Sequence, residues 1–172
     1  MDYKGLIKSP VGDIKLHCTD IGLTSVQIVP GSDTETKVYH FDPHLKEAVS
    51  QLEAYFSGDL KEFKLSIDWT GNSFFFCEVW RALQSIPYGK YRTYGQIAKF
   101  LRKPKSARAI GKANSRNPIA IIIPCHRVIG TNGKLTGYAY GNDVKRKLLQ
   151  HENPAHFSNQ GALFEDISLI KK

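Results

Sequence analysis

The chain places a cysteine directly before a histidine, at Cys125-His126, just after the apolar run Ile119–Ile123. A thiol attacks other molecules only as the thiolate, and an adjacent imidazole can take its proton while nearby cations lower its pKa. The other nitrogen of such a histidine needs an orienting acid, for which Glu152, Asp143 and acids of the N-terminal part are candidates. Cysteine and histidine are more often structural than reactive, so the pair by itself leaves both interpretations open.

The other two cysteines show no pattern of a disulfide framework or a metal site. Cys18 and Cys77 lie far from each other and from Cys125, and the sequence contains no Cys-x-x-Cys pair. We interpret Cys18 and Cys77 as small buried hydrophobic residues. Free thiols persist in a reducing compartment, so we expect the cytoplasm, or the nucleus if the source is eukaryotic.

Charge is distributed very unevenly along the 172 residues. Residues 1–78 contain 7 Lys/Arg and 12 Asp/Glu, whereas residues 79–142 contain 12 Lys/Arg and no acid. Surfaces that are merely solvated mix both signs, so this segment favours a polyanionic partner, whose phosphates release counterions when they are neutralised. An anionic membrane surface or a simple contribution to solubility remains an alternative.

Hydropathy argues against insertion in a membrane. No apolar run approaches the ~18–20 residues that a spanning helix needs. The N-terminus, Met1–Lys4, lacks the basic and then apolar stretch of a secretory signal. We expect a globular protein with one domain of ordinary size or two small ones, and no membrane partner.

The N-terminal part reads as a small antiparallel sheet with one helix. Strands are predicted over Tyr3–Ile7, Asp13–Cys18 and Leu23–Ile28, because turn signals separate short, partly alternating segments. Pro43–Phe56 has apolar residues at helical spacing and Gly58 behind it as a stop signal. Leu60–Ile67 is interpreted as one more strand. The composition changes at residues 68–73, so we predict a domain over residues 1–70.

The second domain, predicted over residues 71–154, is mostly helical. Helices are expected over Ser73–Ile86, Tyr94–Leu101, Ser106–Asn114 and about Asn142–His151. The run Ile119–Ile123 is typical of a buried strand or extended segment. Residues 155–172 show little pattern and are interpreted as a tail.

Two of these helices have the outline of a helix-turn-helix. Tyr94–Leu101 and Ser106–Asn114 are short and are separated by a break that contains Pro104. The second helix carries Arg108 and Lys112 at i, i+4, so both side chains can project from one face. An ordinary αα-hairpin fits the same pattern, and the absence of acids favours DNA as the partner.

Several blocks, in order, resemble the O6-alkylguanine-DNA alkyltransferases, also called methylated-DNA–protein-cysteine methyltransferases. The blocks are Ile86–Lys90, Thr93–Ala98, Ala107–Gly111, Arg116–Pro118, Ile123–Val128, Gly137-Tyr138 and Lys145–Glu152. They cover about residues 74–153, and Ser9–Gly12 adds a fainter match. Several ordered blocks coincide by chance far less easily than one short motif does.

The resemblance implies an α+β fold, with a small antiparallel-sheet N-terminal domain that is ribonuclease H-like and a helical C-terminal domain with a helix-turn-helix. It implies DNA repair by irreversible, stoichiometric transfer of an alkyl group from O6-alkylguanine, and also O4-alkylthymine, to Cys125. The partner would be double-stranded DNA, bound from the minor-groove side with the damaged base flipped out by a monomeric protein. No cofactor is implied.

The resemblance also assigns a role to individual residues. Residues assigned to catalysis are Cys125, His126, Glu152, Tyr94 and Asn117. Residues assigned to DNA binding are Arg108, Tyr94, Ala107, Gly111 and Lys112. Residues assigned to the alkylguanine pocket are Tyr138, Val128, Ala139, Tyr140 and Lys145. Arg108 would fill the gap left by the flipped base, Tyr94 would donate a hydrogen bond to the purine, and Asn117 would act as a hinge. Glu152 would be the acid that orients His126.

The sequence departs from the family pattern in two places. Many members read Tyr-Ser-Gly-Gly where this chain reads Tyr138-Ala139-Tyr140-Gly141. We hypothesise that Tyr140 narrows the pocket against bulky alkyl groups. Some members bind zinc in the N-terminal domain, but His17 and Cys18 do not reproduce that ligand set, so no metal is predicted.

Three other functions remain as alternatives. A non-catalytic lesion-binding relative would lack the cysteine, typically having tryptophan in its place. A transcriptional regulator would need an effector domain, and none is visible beyond the first ~70 residues. A cysteine hydrolase would turn over repeatedly, whereas the alkyltransferase interpretation requires one alkyl group per protein.

Overall fold

A computed structural model describes residues 3–29, 42–131, 133–135 and 137–157. Within these ranges the element order is three strands, two helices, a short strand, two helices, a second short strand and two final helices. Of the predicted tail, residues 158–172 lie outside the described residues, while Pro154–Phe157 forms a short helix, α6, with Phe157 buried. None of the described helices is long and apolar enough to cross a membrane.

An antiparallel meander forms the N-terminal sheet, as predicted. Strands β1 (Tyr3–Ile7), β2 (Asp13–Cys18) and β3 (Leu23–Val29) are paired in that order, with Ile7 opposite Ile14 and Leu16 opposite Val26. The turn before β2 needs Gly12, because its φ is +124° and a Cβ there would lie 2.6 Å from the Val29 carbonyl oxygen.

Helix α1 (Pro43–Ser57) covers this sheet. Asp42 caps its start by accepting from the Leu45 N–H at 2.8 Å, and Gly58 ends it in the left-handed conformation. Of the apolar positions predicted at helical spacing, Leu45, Ala48, Val49 and Leu52 are buried and Phe56 is half-buried, while Tyr55 is the buried aromatic residue of the last turn.

The predicted strand Leu60–Ile67 is wrong. Only Ile67 forms an isolated parallel bridge, to Leu23. The Gln51 side chain instead pairs with the backbone of Lys64 in this segment, accepting from its N–H at 2.8 Å and donating to its carbonyl at 2.9 Å. A side-chain amide can thus form the backbone hydrogen bonds that a neighbouring strand would otherwise provide.

The C-terminal part is helical, as predicted. Its helices are α2 (Phe74–Gln84), α3 (Tyr94–Phe100), α4 (Ala107–Ser115) and α5 (Asn142–Glu152). A capping box between Thr93 and Gln96 starts α3. Helices α3 and α4 pack on each other with a tight break between them, which is the expected helix-turn-helix arrangement.

Both tryptophans of the chain lie together beneath α4. Trp69 and Trp80 stack with ring centroids 6.0 Å apart, and the Trp80 indole N–H donates to the Ala113 carbonyl at 2.9 Å. Arg81 lies over the Trp69 ring, with 5.4 Å between its guanidinium carbon and the centroid. The indole hydrogen bond ties α2 to the second helix of the helix-turn-helix.

The isoleucine run 119–123 is buried but does not form a strand of a sheet. Ile119 makes one isolated parallel bridge to Val26 of β3. Ile121 has a φ of +72°, which is unfavourable for a β-branched residue, so the surrounding packing must hold it there. Strand β5 (Val128–Ile129) then pairs in parallel with β4 (Arg92–Thr93), placing the start of α3 beside the segment that contains Cys125.

Candidate active site

Cys125 begins a single 3₁₀ turn, Cys125–Arg127, and is only 4% exposed. The Asn117 side-chain amide lies 3.0 Å from Sγ and also donates to the Ile123 carbonyl at 2.8 Å. The Asn117 carbonyl oxygen accepts from the Ile119 N–H at 3.0 Å. Asn117 therefore joins both ends of the isoleucine run to the thiol.

Burial raises the pKa of the Cys125 thiol above its ordinary value. The Asn117 hydrogen bond and the positive charge of Lys145 lower the pKa but do not outweigh the burial. Nearby positive charge therefore does not by itself give Cys125 a low pKa. A thiol of this kind needs a base that removes its proton during the reaction.

His126 is completely buried and contacts Glu152, the acid assigned to it, with 2.7 Å between Nε2 and Oε1. The other nearby candidate, Asp143, pairs instead with Arg146 at the surface. Burial lowers the pKa of His126, against the opposing effect of Glu152, so the imidazole is neutral. An ionised carboxylate can only accept, which places the proton on Nε2 and leaves Nδ1 as a lone pair. Among the described residues Nδ1 has no hydrogen-bond partner.

Glu152 is the centre of a buried hydrogen-bond network. Oε1 accepts from His126, from the Tyr55 hydroxyl at 2.9 Å and from Arg127 Nη2 at 3.0 Å. Oε2 accepts from Arg127 Nε at 2.9 Å and from the Gly89 N–H at 3.1 Å. Burial alone would raise the pKa of Glu152, but His126 and Arg127 together hold it far below the ordinary value. The carboxylate is therefore charged.

The sequence did not single out Arg127 as a site residue. Its guanidinium is buried, donates to the Ile86 carbonyl at 2.6 Å and lies 5.9 Å from the centroid of the Tyr88 ring. The signal available in the sequence was a basic residue directly after an apolar run, with Glu152 as a possible partner. Spacing alone could not pair residues that lie 25 positions apart.

Three of the residues assigned to the pocket, Tyr138, Tyr140 and Lys145, interact electrostatically with Cys125, and Val128 contacts Lys145. Tyr138 is buried with Tyr140 edge-on to it at 5.5 Å, and burial together with charge on Cys125 raises the pKa of both. The Lys145 amine donates to the Val128 carbonyl at 2.5 Å, and burial lowers its pKa to about 8. The remaining residue assigned to the pocket is Ala139, whose side chain is exposed.

Tyr94 connects the helix-turn-helix to this pocket. A Cβ on Gly111 would lie 3.9 Å from the Tyr94 ring, and one on Gly137 would lie 4.0 Å from its hydroxyl. Burial and charge on Cys125 raise the pKa of Tyr94, while Asn114 opposes them. Asn114 was not predicted as a site residue; it is buried, and its amide lies 3.5 Å from the Cys125 carbonyl.

The basic segment is displayed to solvent. Of the 12 Lys/Arg between residues 79 and 142, ten are exposed, Lys103 is half-buried and only Arg127 is buried. Arg108 and Lys112 project from the exposed face of α4, next to the half-buried Ala107. Among the described residues, no hydrogen bond or ion pair joins Arg108 or Lys112 to the Cys125 cluster, which we define as Cys125, Asn117, His126 and Glu152. This face can bind a polyanion, whereas the Cys125 cluster can carry out nucleophilic chemistry.

Within the described ranges, no group of three or more His, Cys, Asp or Glu side chains converges as metal ligands would. Cys18 and Cys77 are both buried, as interpreted from the sequence.

Comparison with known proteins matches both halves of the chain to one family. Residues 74–154 match the DNA-binding domain of 6-O-methylguanine DNA methyltransferase, and residues 3–69 match its ribonuclease-like domain. A methylated-DNA–protein-cysteine methyltransferase of Methanosarcina acetivorans is 48% identical over 153 residues, covering 87% of this chain and 97% of the relative.

Comparison with solved structures points to the same family. The Mycobacterium tuberculosis O6-methylguanine methyltransferase superposes with a TM-score of 0.77 at 42% identity, covering 90% of this chain and 94% of its own. The M. tuberculosis OGT in complex with DNA gives a TM-score of 0.75 at 45% identity, covering 87% of this chain and 91% of its own. The chain therefore belongs to the 6-O-methylguanine DNA methyltransferase family.

Proposed function

We propose that this protein repairs DNA by transferring the alkyl group of O6-alkylguanine, and also of O4-alkylthymine, to Cys125 Sγ, once per molecule. The observation that carries this proposal is a buried thiol, held by the Asn117 amide at 3.0 Å, that directly precedes a buried histidine whose Nε2 is fixed by Glu152 at 2.7 Å. Family membership supplies the substrate class, and the chemistry needs no cofactor.

The transfer is an SN2 displacement at the alkyl carbon. His126 Nδ1 accepts the thiol proton through a water molecule, and Glu152 stabilises the resulting imidazolium. The thiolate attacks the alkyl carbon, a C–S bond forms, and the C–O6 bond breaks with its electron pair left on guanine. The Tyr94 hydroxyl donates a hydrogen bond to the purine and so stabilises the departing guanine, which takes up the proton that His126 received from the thiol. The thioether is chemically stable, so the protein is consumed.

Duplex DNA is the partner that fits the basic face. A relative of known structure has been crystallised with DNA. In our proposal a monomer binds from the minor-groove side through α3 and α4, and Arg108 fills the gap left by the flipped base. Residues 71–154 bind DNA and react, and residues 1–70 support them. Free thiols and DNA coexist in the cytoplasm, or in a eukaryotic nucleus, where we place the protein.

The test follows labelled O6-methylguanine in duplex DNA. We expect transfer of label to protein up to a 1:1 limit and its loss in Cys125→Ser. Cys77→Ser, which changes another buried cysteine, is the matched control and should transfer normally. Turnover beyond one equivalent would favour a cysteine hydrolase, and label retained on DNA would favour a non-catalytic lesion-binding protein; either result overturns the proposal.

A further inference from the structure

One donor to the Glu152 carboxylate comes from the N-terminal domain. Tyr55 lies on α1, is fully buried, and donates its hydroxyl proton to Glu152 Oε1 at 2.9 Å. The same oxygen accepts from His126 Nε2 at 2.7 Å. Tyr55 and Glu152 are 97 positions apart, so only the contact between the two parts of the chain creates this arrangement.

Tyr55 is held on several sides. Its ring lies 5.0 Å from the His151 ring and 6.0 Å edge-on from the Tyr88 ring, measured between centroids. Its backbone carbonyl lies 2.7 Å from His151 Nε2. Neighbours on α5 and in the turn after α2 thus hold the Tyr55 ring in place.

The hydroxyl affects how strongly Glu152 attracts the His126 proton. Burial and the charge of Glu152 raise the pKa of Tyr55 well above its ordinary value, so Tyr55 remains a donor. Oε1 already receives three donors, and each spreads the negative charge that His126 Nε2–H experiences. A carboxylate with one donor fewer would stabilise the imidazolium more strongly and raise the pKa of His126.

We propose that Tyr55 is a positioning residue for alkyl transfer: its hydroxyl fixes Glu152 Oε1 beside His126 and limits the basicity of the imidazole, so that Nδ1 remains an open acceptor. The inference rests on the proposed function. It makes the N-terminal domain a contributor to the reaction and not only a support.

Of the charged and titratable groups around His126, Tyr55 is the one that can be altered without changing formal charge or removing the nucleophile. Glu152 and Lys145 face His126 from α5, Arg127 and Cys125 flank it in the chain, and Tyr55 reaches the shared carboxylate from α1.

The experiment measures the first-order rate of methyl transfer in single turnover between pH 5 and 8, for wild type and Tyr55→Phe. A raised His126 pKa keeps the base protonated to higher pH, so the acidic limb of the profile should move up by about 1 pH unit. Tyr88→Phe is the matched control, because that hydroxyl contacts the His151 carbonyl at 3.4 Å and not Glu152. The acidic limb of the pH profile of Tyr88→Phe should stay at the wild-type position.

A rate that falls equally at every pH, with the limb unmoved, would show that Tyr55 only supports the fold and would overturn the inference. If wild type transfers no methyl group, the proposed function fails first, so the two failures are distinguishable. A second measurement uses unaltered protein and does not depend on folding of the variant. The Tyr55 hydroxyl proton should give an exchange-protected NMR resonance that shifts with the His126 titration, and its absence would also overturn the inference.

Discussion

Replacing Glu152 by glutamine removes the charge that the buried network shares. The carboxylate accepts five hydrogen bonds, and the Arg127 guanidinium supplies two of them from a buried position. Glutamine has one acceptor oxygen, so its NH₂ group must face at least the two donors on the Oε2 side, Arg127 Nε and the Gly89 N–H. Breaking a buried ion pair by removing one partner costs about 3–5 kcal/mol, because the remaining charge is uncompensated. We expect Glu152→Gln to lower the free energy of unfolding by that amount.

Urea denaturation at pH 7 measures this change, provided that the slope of the transition is the same in both proteins. The control is Glu53→Gln on the exposed side of α1, which should change the free energy of unfolding by less than about 0.5 kcal/mol. A double mutant with Arg127→Met should lose less than the two single mutants combined, since it contains no unpaired guanidinium. A loss below about 1 kcal/mol in Glu152→Gln, or strict additivity in the double mutant, would refute the reasoning.

Three further predictions address DNA binding, the pocket and pH. Arg108→Ala should slow transfer from duplex DNA about tenfold more than transfer from a single strand, because only a duplex has a gap to fill. Equal slowing on both substrates in single-turnover assays would show that Arg108 does not fill that gap. Tyr140→Gly should accelerate reaction with a benzyl-type free-base inhibitor, and an unchanged rate would remove Tyr140 as the residue that narrows the pocket. The depressed pKa of Glu152 contributes stability that is present above its unfolded pKa of about 4.3 and is lost as the pH falls. Urea titrations at pH 7 and pH 4 should therefore show a larger acid loss in wild type than in Glu152→Gln, and equal losses would contradict this assignment.

Local patterns were sufficient to predict most elements of the fold. Strand alternation and turn residues placed β1 and β2 at their observed ends, and Ser73 and Thr93 cap the helices that follow them. The error at Leu60–Ile67 arose because alternation predicts a strand without showing whether a neighbouring strand is available. In the fold, the Gln51 side chain takes the place of that neighbour.

The reactive centre was predictable only in part. Cys125 and His126 are adjacent in sequence, and the family resemblance pointed to Glu152 and Asn117. Arg127, Asn114 and Tyr55 act through contacts made by the folded chain, and no periodicity marks such contacts. The raised pKa of Cys125 also depends on burial, which a run of isoleucines suggests but does not measure.

The tryptophan pair beneath α4 provides an intrinsic fluorescence probe. Both indoles of the chain lie within one cluster, and one of them is hydrogen-bonded to the Ala113 carbonyl of α4. Intrinsic fluorescence excited in the tryptophan band therefore reports from a single place, directly behind the helix whose outer face carries Arg108 and Lys112. Events on that face can be followed in real time by emission intensity and wavelength, without attaching a dye to either partner.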